Sequence, residues 1–120
     1  TGACVVALGH YRAGLMSNHQ PSADRVFKAA DLAGERYWQL PLDKAYKKHL
    51  KSKYADMMNN GTAGVAGTVS AGVFLREFVD DTNWVHLDIA GTAMENDGVF
   101  DYMDKTATGF GVRTLLRLLD

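Results

Sequence analysis

The sequence contains one cysteine, two prolines and no long apolar run. With Cys4 alone, no internal disulfide framework can form, which is typical of a reducing compartment and favours the cytoplasm. No stretch approaches the roughly 18–20 consecutive apolar residues of a membrane-spanning helix, so we expect no membrane partner. The 13 Lys and Arg against 14 Asp and Glu leave a net charge of −1. Overall charge therefore does not drive binding to nucleic acid or lipid.

The composition that remains is that of a globular protein. Of the 120 residues, 47% are hydrophobic and 22% are charged, which excludes a disordered or collagen-like chain. The chain opens on Thr1-Gly2-Ala3 and runs at once into an apolar stretch that ends at Leu8. Because chain termini usually fray, this opening indicates entry into a core. We expect the sequence to be part of a longer chain.

Hydrophobic periodicity predicts four helices along the chain. They run from Ser22, as N-cap, to about Tyr37; from Asp43 to about Leu50; from Val65 to Val79; and onward from Gly111. The first should break at Trp38 to Pro41, because a residue before proline is pushed out of helical geometry. Helices alternating with few short, buried strands predict an α/β layered fold.

Two strands are predicted between these helices. Gly14 to Asn18 forms a short one, and Trp84 to Gly91 has the alternating character of another. The run from Val5 to Leu8 is too short for periodicity to separate a buried strand from a buried helix. A polar loop is predicted from Met94 to Lys105.

No complete catalytic set emerges from the residues alone. The four histidines have no i,i+4 pair, and Cys4 has no second cysteine, so no metal-ligand spacing is present. Ser70 lies in a Gly-x-x-Ser-x-Gly stretch inside a helical pattern, whereas a nucleophile elbow needs Gly-x-Ser-x-Gly at a strand-to-helix turn. Burial of Cys4 in an apolar run should raise its thiol pKa, which argues against a reactive thiolate.

Two features leave alternatives open. Asp88 lies inside an apolar strand, where a buried carboxylate must be hydrogen-bonded or paired. It is either a structural residue satisfied by loop amides or part of a site. Lys44, Lys47, Lys48 and Lys51 have α-helical spacing and would form one basic face, either solvated or in contact with nucleic acid.

Several ordered blocks resemble one family. The blocks are residues 1–9, 14–18, 38–42 and 84–93, supported by residues 54–59 and 107–109 in the same order. The block that begins at Trp84 is close to the signature Trp-Ala-His-Leu-Asp-Ile-Ala-Gly of the leucyl aminopeptidase (cytosol aminopeptidase) family. Across essentially its whole length, the sequence resembles the C-terminal part of that family's catalytic domain.

The resemblance implies both a fold and a function. Residues 1–120 would be the C-terminal part of a single three-layer α/β domain of the zinc-exopeptidase type. The parent protein would be a cytosolic homohexamer that hydrolyses N-terminal residues from peptides. Two zinc or manganese ions would polarise the scissile carbonyl and lower the pKa of a bridging water. The family's Asn-Thr-Asp-Ala-Glu-Gly-Arg hallmark and its other metal ligands lie upstream, so we expect no catalytic or metal-binding residue in this chain.

The resemblance also assigns substrate-binding positions. Thr1 and Gly2 match the loop beside the metals, where backbone groups approach the substrate. Ala90 matches a small residue that lines the pocket for the N-terminal side chain. Ala93 stands where some members have Met and implies a roomier pocket, and Asn60 stands where Ile is frequent, which would weaken a strict leucine preference. Asp88 becomes a structural residue behind the pocket.

A second hypothesis is a non-catalytic interaction module derived from an aminopeptidase. It would act through assembly, or through DNA contact by the basic face from Lys44 to Lys51. A stand-alone small hydrolase is a third hypothesis, although no nucleophile–base pair or ligand cluster supports it. Under the leading hypothesis the partners are peptide substrates, the remainder of the catalytic domain and further copies of the protein.

Overall fold

A computed structural model describes residues 1–94, 101–102 and 106–120. The helices are α1 (Gly2–Leu8), α2 (Gln20–Ala33), α3 (Gly67–Arg76) and α4 (Val112–Leu119), with a 3₁₀ helix at Lys44–Leu50. The strands are β1 (Ala13–Ser17), β2 (Tyr37–Gln39) and β3 (Val85–Asp88). Most of the predicted polar loop from Met94 to Lys105 lies outside the described residues.

The three strands form one mixed sheet in the order β2-β1-β3. Strand β1 is parallel to β2 and antiparallel to β3, with Gly14 opposite Asp88 and Leu15 opposite Leu87. Since side chains alternate along a strand, Leu15 and Leu87 share one face of the sheet, and Gly14 and Asp88 share the other.

Helices α2 and α4 cover the face that carries Leu15. The buried residues of this core are Ala13, Leu15, Ala23, Val26, Ala30, Tyr37 and Phe110, with Leu118 of α4 packed against them. Small alanines on α2 let the helix approach the strands closely, and the long apolar side chains of β1 and β3 fill the remaining space.

Helices α1 and α3 cover the opposite face through two glycines. A Cβ on Gly14 would lie 3.2 Å from the Cys4 Sγ of α1. A Cβ on Gly72 of α3 would lie 2.5 Å from the Met16 Sδ of β1. The sheet therefore has helices on both sides, and the predicted three-layer α/β fold is confirmed.

The predicted limits of α2 are wrong at both ends. The helix begins after His19 and not at Ser22, because Pro21 fits the first turn, where its missing N–H leaves no hydrogen bond unmade. It ends before Gly34, which has φ 70° in the left-handed region and donates its N–H to Ala30 and Asp31. Tyr37, predicted to close the helix, instead starts β2.

Other elements also differ from the sequence prediction. The undecided run from Val5 to Leu8 is helical and belongs to α1, whose start is capped by the Thr1 hydroxyl, which accepts from the Cys4 N–H at 3.0 Å. Helix α3 is shorter than predicted and excludes Val65 and Val79. Strand β2 was missed because it has only three residues, of which Trp38 is exposed.

Glu35 is a buried carboxylate that the sequence analysis did not single out. It is 2% exposed, and its Oε2 accepts from the Thr114 backbone N–H at 3.0 Å and from the Thr114 hydroxyl at 2.5 Å. Thr114 lies in the first turn of α4, where free N–H groups and the helix dipole favour a negative charge. The Glu35 carboxylate thus attaches α4 to the end of α2.

Replacing Glu35 tests this attachment. Glu35→Ala should lower the free energy of unfolding by about 2–3 kcal/mol, because the Thr114 donors lose their buried acceptor. Glu77→Ala is the matched control. The Glu77 side chain is 33% exposed and pairs with Lys47, and such a surface pair contributes at most about 1 kcal/mol. Urea denaturation of the longer protein that contains this chain measures both changes, and equal effects would contradict the capping role.

Candidate functional site

The Asp88 carboxylate lies at the end of β3 and binds both the start of α1 and the turn that follows β3. It is 4% exposed. Its Oδ1 lies 2.7 Å from the Thr1 nitrogen and accepts from the Ala90 N–H at 3.2 Å, while its Oδ2 accepts from the Thr1 hydroxyl at 2.7 Å. The hypothesis of an Asp satisfied by hydrogen bonds is confirmed, but only one of its donors is a loop amide. The others come from the start of α1.

The Thr1 hydroxyl connects this carboxylate to two helices. It donates to Asp88 and accepts from the Cys4 N–H. It also lies 3.2 Å from the hydroxyl of Thr68 in the first turn of α3. Because the single Thr1 hydroxyl proton is used on Asp88, Thr68 is the donor in that contact. One carboxylate and two hydroxyls therefore hold together the end of β3 and the starts of α1 and α3.

The surroundings shift three pKa values. Burial alone would raise the pKa of Asp88, but hydrogen bonds from the Thr1 amino group, the Thr1 hydroxyl and the Ala90 N–H, together with the positive charge of that amino group, outweigh it and lower that pKa. Burial and the nearby Asp88 carboxylate raise the pKa of the Cys4 thiol, as predicted. Burial also lowers the pKa of His86, against the opposing effect of Asp88. The site thus favours an ionised Asp88 beside a neutral thiol and a neutral imidazole.

The chain turns sharply after β3. The N–H groups of Thr92 and Ala93 both donate to the Ile89 carbonyl, at 3.0 and 2.8 Å. The far side of the turn is held by Thr108, whose N–H donates to the Ala93 carbonyl at 2.9 Å and whose hydroxyl donates to the Thr92 carbonyl at 2.5 Å. The turn from Ile89 to Ala93 is therefore fixed by backbone hydrogen bonds from both sides.

The far end of α1 also contacts this turn. His10 Nδ1 lies 2.6 Å from the Gly91 carbonyl and must carry the proton, because a carbonyl only accepts. A Cβ on Gly91 would collide with the Gly9 carbonyl, so the close approach requires glycine at position 91. The turn is consequently held at both ends of α1, by Thr1 at the start and by Gly9 and His10 at the end.

The predicted substrate-binding residues fall into two groups. Thr1 and Ala90 meet at Asp88; Gly2 follows Thr1 in α1, and Ala93 closes the adjoining turn. Asn60 lies exposed on another loop, where a Cβ on the next residue, Gly61, would lie 2.8 Å from Ser70. No signal in the sequence indicated that Thr68, His10 and Thr108 would support the first group.

The described residues do not form a metal site. Among residues 1–94, 101–102 and 106–120, no group of three or more His, Cys, Asp or Glu is placed to hold a metal ion. Ser70 is 1% exposed in α3, and its hydroxyl has no hydrogen-bond partner in the described part of the chain. No described helix is long and apolar enough to cross a bilayer.

The predicted basic face lies on a 3₁₀ helix and not on the expected α-helix. The segment Lys44–Leu50 is a 3₁₀ helix, so Lys44 and Lys47 align while Lys48 is rotated by about a third of a turn. Lys51 lies beyond the end of the helix. In addition, the Lys47 Nζ pairs with the Glu77 Oε2 at 2.8 Å. Lys44, Lys47, Lys48 and Lys51 nevertheless line one surface cavity together with Asp56, so the four lysines do lie near one another.

Comparison with known proteins identifies the class to which this fold and site belong. Residues 1–116 match the cytosol aminopeptidase family, catalytic domain. The probable cytosol aminopeptidase of Alkaliphilus oremlandii is 50% identical over 119 residues, which cover 99% of this chain and 23% of that protein. The protein of the same description from Solibacter usitatus is 51% identical over 118 residues, which cover 98% of this chain and 24% of that protein.

A solved structure agrees with the sequence relatives. A mutant of tomato leucine aminopeptidase superposes with a TM-score of 0.89 at 38% identity, over 99% of this chain and 22% of that one. The chain belongs to the cytosol aminopeptidase family, and it corresponds to the C-terminal portion of the catalytic domain. It spans about a quarter of the length of the relatives that it matches.

The Asp88 contacts predict a defined dependence of stability on pH. Asp88→Ala should lower the free energy of unfolding by about 2–4 kcal/mol, because buried donors lose a charged acceptor. The Thr1 hydroxyl and the Ala90 N–H donate to the ionised Asp88 carboxylate and hold its folded pKa below the ordinary 3.8. The ionised carboxylate therefore stabilises the fold above that pH, and this contribution is lost as the pH falls through the folded pKa.

Thermal unfolding of the full-length protein between pH 2 and 7 checks the prediction. Asp88→Asn should flatten the decline in melting temperature below pH about 4, because the titrating group is gone. Asp81→Asn, on an exposed turn, is the matched control and should retain the decline. An unchanged acid profile in Asp88→Asn would mean that this carboxylate does not contribute to acid sensitivity.

Proposed function

We propose that this chain is the C-terminal part of an aminopeptidase that removes N-terminal residues from peptides. Its contribution would be part of the wall of the substrate pocket. The observation that carries the proposal is the contact of Asp88 with both Thr1 and Ala90. These two residues are far apart in the sequence, and the family resemblance assigns both to the pocket. A buried carboxylate that holds them together gives that pocket a rigid base.

The catalytic groups would come from the rest of the protein. The family resemblance assigns the ligands of the two zinc or manganese ions to upstream residues, so those ions would be held by residues outside this chain. Gly2 has open space where a Cβ would be, with nothing within 4 Å. Its backbone is therefore accessible to a substrate or to the metal-bearing part of the protein.

The activity test uses the full-length protein that contains this chain. Loaded with Mn²⁺ or Zn²⁺, it should hydrolyse leucyl-anilide, and the activity should disappear with a chelator. The isolated chain should be inactive and should fold poorly, because it exposes sheet edges and apolar faces. Peptidase activity from the pure 120-residue chain would contradict the proposal that the catalytic groups lie outside this chain.

Ala93, at the turn after β3, and Asn60, on a separate loop, would set substrate preference. The methyl side chain of Ala93 would leave space for a large N-terminal residue. The exposed amide of Asn60 would favour less apolar residues than an aliphatic side chain does. We further propose a cytoplasmic homohexamer as the working assembly, on the ground of family membership.

Filling the proposed pocket tests the role of Ala93. In the full-length enzyme, Ala93→Met should lower kcat/KM for leucyl substrates roughly tenfold, and should have little effect on alanyl substrates, because the added side chain occupies the space of a large residue. Ala55→Met, at an exposed position, is the matched control. An equal loss on leucyl and alanyl substrates would place Ala93 outside the pocket.

A further inference from the structure

Asn60 is exposed, but the backbone on both sides of it is attached to other elements. Before it, the Met58 N–H donates to the carbonyl of Leu50 at 2.8 Å. Leu50 is 2% exposed and belongs to a core cluster with two valines of α3. After it, the Thr62 hydroxyl lies 3.0 Å from the Nδ1 of His49. The 3₁₀ helix therefore holds the loop on both sides of an exposed side chain.

Gly61 lies against α3 at a distance that leaves no room for a side chain. A Cβ on Gly61 would lie 2.8 Å from both the Cβ and the Oγ of Ser70. Nonbonded carbon atoms pack best at about 3.5–4.0 Å. The φ of Gly61 is not in the left-handed region, so the backbone conformation by itself would accept alanine. Glycine is needed at position 61 because of the contact with Ser70.

Ser70 acts in this contact through its small volume. It is 1% exposed within α3, and its hydroxyl has no hydrogen-bond partner in the part of the chain that the structure describes. A hydroxyl without a partner adds no hydrogen bond to the stability of the fold. The size of the side chain at position 70 therefore sets how closely the loop approaches α3.

We propose that Gly61 and Ser70 are positioning residues, which fix the place of Asn60 in the substrate pocket and so determine the choice of substrate. The inference rests on the proposed function, in which the Asn60 amide lines the pocket and favours less apolar residues. A side chain at position 61 has to move the loop away from α3, and the adjoining Asn60 moves with it. Displacements of this order are enough to weaken a contact with a bound substrate.

An exchange of side-chain size between the two positions tests the inference in the full-length, Mn²⁺-loaded enzyme. Gly61→Ala should raise the ratio of kcat/KM for leucyl-anilide to kcat/KM for asparaginyl-anilide about fivefold or more, because the Asn60 amide no longer meets the substrate. Addition of Ser70→Gly should return this ratio to within about twofold of the parent value, since it vacates the space that the new methyl group needs. The ratio does not depend on the fraction of enzyme that is folded, so a general loss of stability leaves it unchanged.

Gly64→Ala is the matched control in the same loop. Gly64 has φ 73°, and a Cβ there would have nothing within 4 Å. Alanine at position 64 therefore strains the backbone without contacting α3. Ser70→Gly should not correct any effect of Gly64→Ala. Asn60→Ala gives the reference value for the ratio when the amide is lost.

The outcomes separate this inference from the proposed function. An active enzyme whose ratio is unchanged in Gly61→Ala overturns the inference and leaves the proposed function intact, as does a shift that persists when Ser70→Gly is added. A full-length protein without peptidase activity refutes the proposed function. Melting temperatures then decide on the contact alone. A decrease caused by Gly61→Ala that shrinks in the Ser70→Gly background supports the contact, and an equal decrease in both backgrounds overturns it.

Discussion

The contact between Asp88 and Thr1 is the constraint on which the arrangement of the site depends. A carboxylate at the end of a strand would be costly to bury without donors, and Thr1 and Ala90 supply three hydrogen bonds to it. Through the Thr1 hydroxyl the same network reaches Thr68 of α3. The start of α1, the start of α3 and the turn after β3 therefore cannot shift independently. A pocket built on these elements would be preorganised before substrate arrives.

The two ends of α1 act together on the turn after β3. At its start, Thr1 binds the strand end, and at its end the backbone of Gly9 and the imidazole of His10 contact Gly91. The opposite layer has a comparable connection, because the buried Glu35 carboxylate caps α4 and joins it to α2. On each face of the sheet, one helix is thus held in place by a buried carboxylate that accepts a hydrogen bond from a backbone N–H. The two attachments differ in that only Asp88 lies beside positions that the family resemblance assigns to substrate binding.

The sequence predicted the layered fold correctly and several element limits incorrectly. The apolar spacing around Val26 and Val73 is long enough to show helical periodicity, so α2 and α3 were found. Strand β2 was not found, because three residues are too few to show an alternating pattern and Trp38 is exposed. The limits of α2 depend on Pro21 in the first turn and on the left-handed conformation of Gly34, both of which are compatible with a loop as well. The lysines of Lys44–Leu50 suggested an α-helical face, but the 3₁₀ geometry of that segment cannot be read from their spacing.

The sequence by itself determined the family, the alternation of helices and short strands, and the need for Asp88 to find partners. It determined these because ordered motifs, periodicity and the cost of a buried charge are properties of local sequence. Only the tertiary structure decided which partners Asp88 finds, since Thr1 lies 87 positions away along the chain. It likewise decided that Gly91 must pack against the Gly9 carbonyl and that Glu35 caps a helix 79 positions away. Contacts between residues so distant in sequence depend on how the layers pack, and no local pattern records that packing.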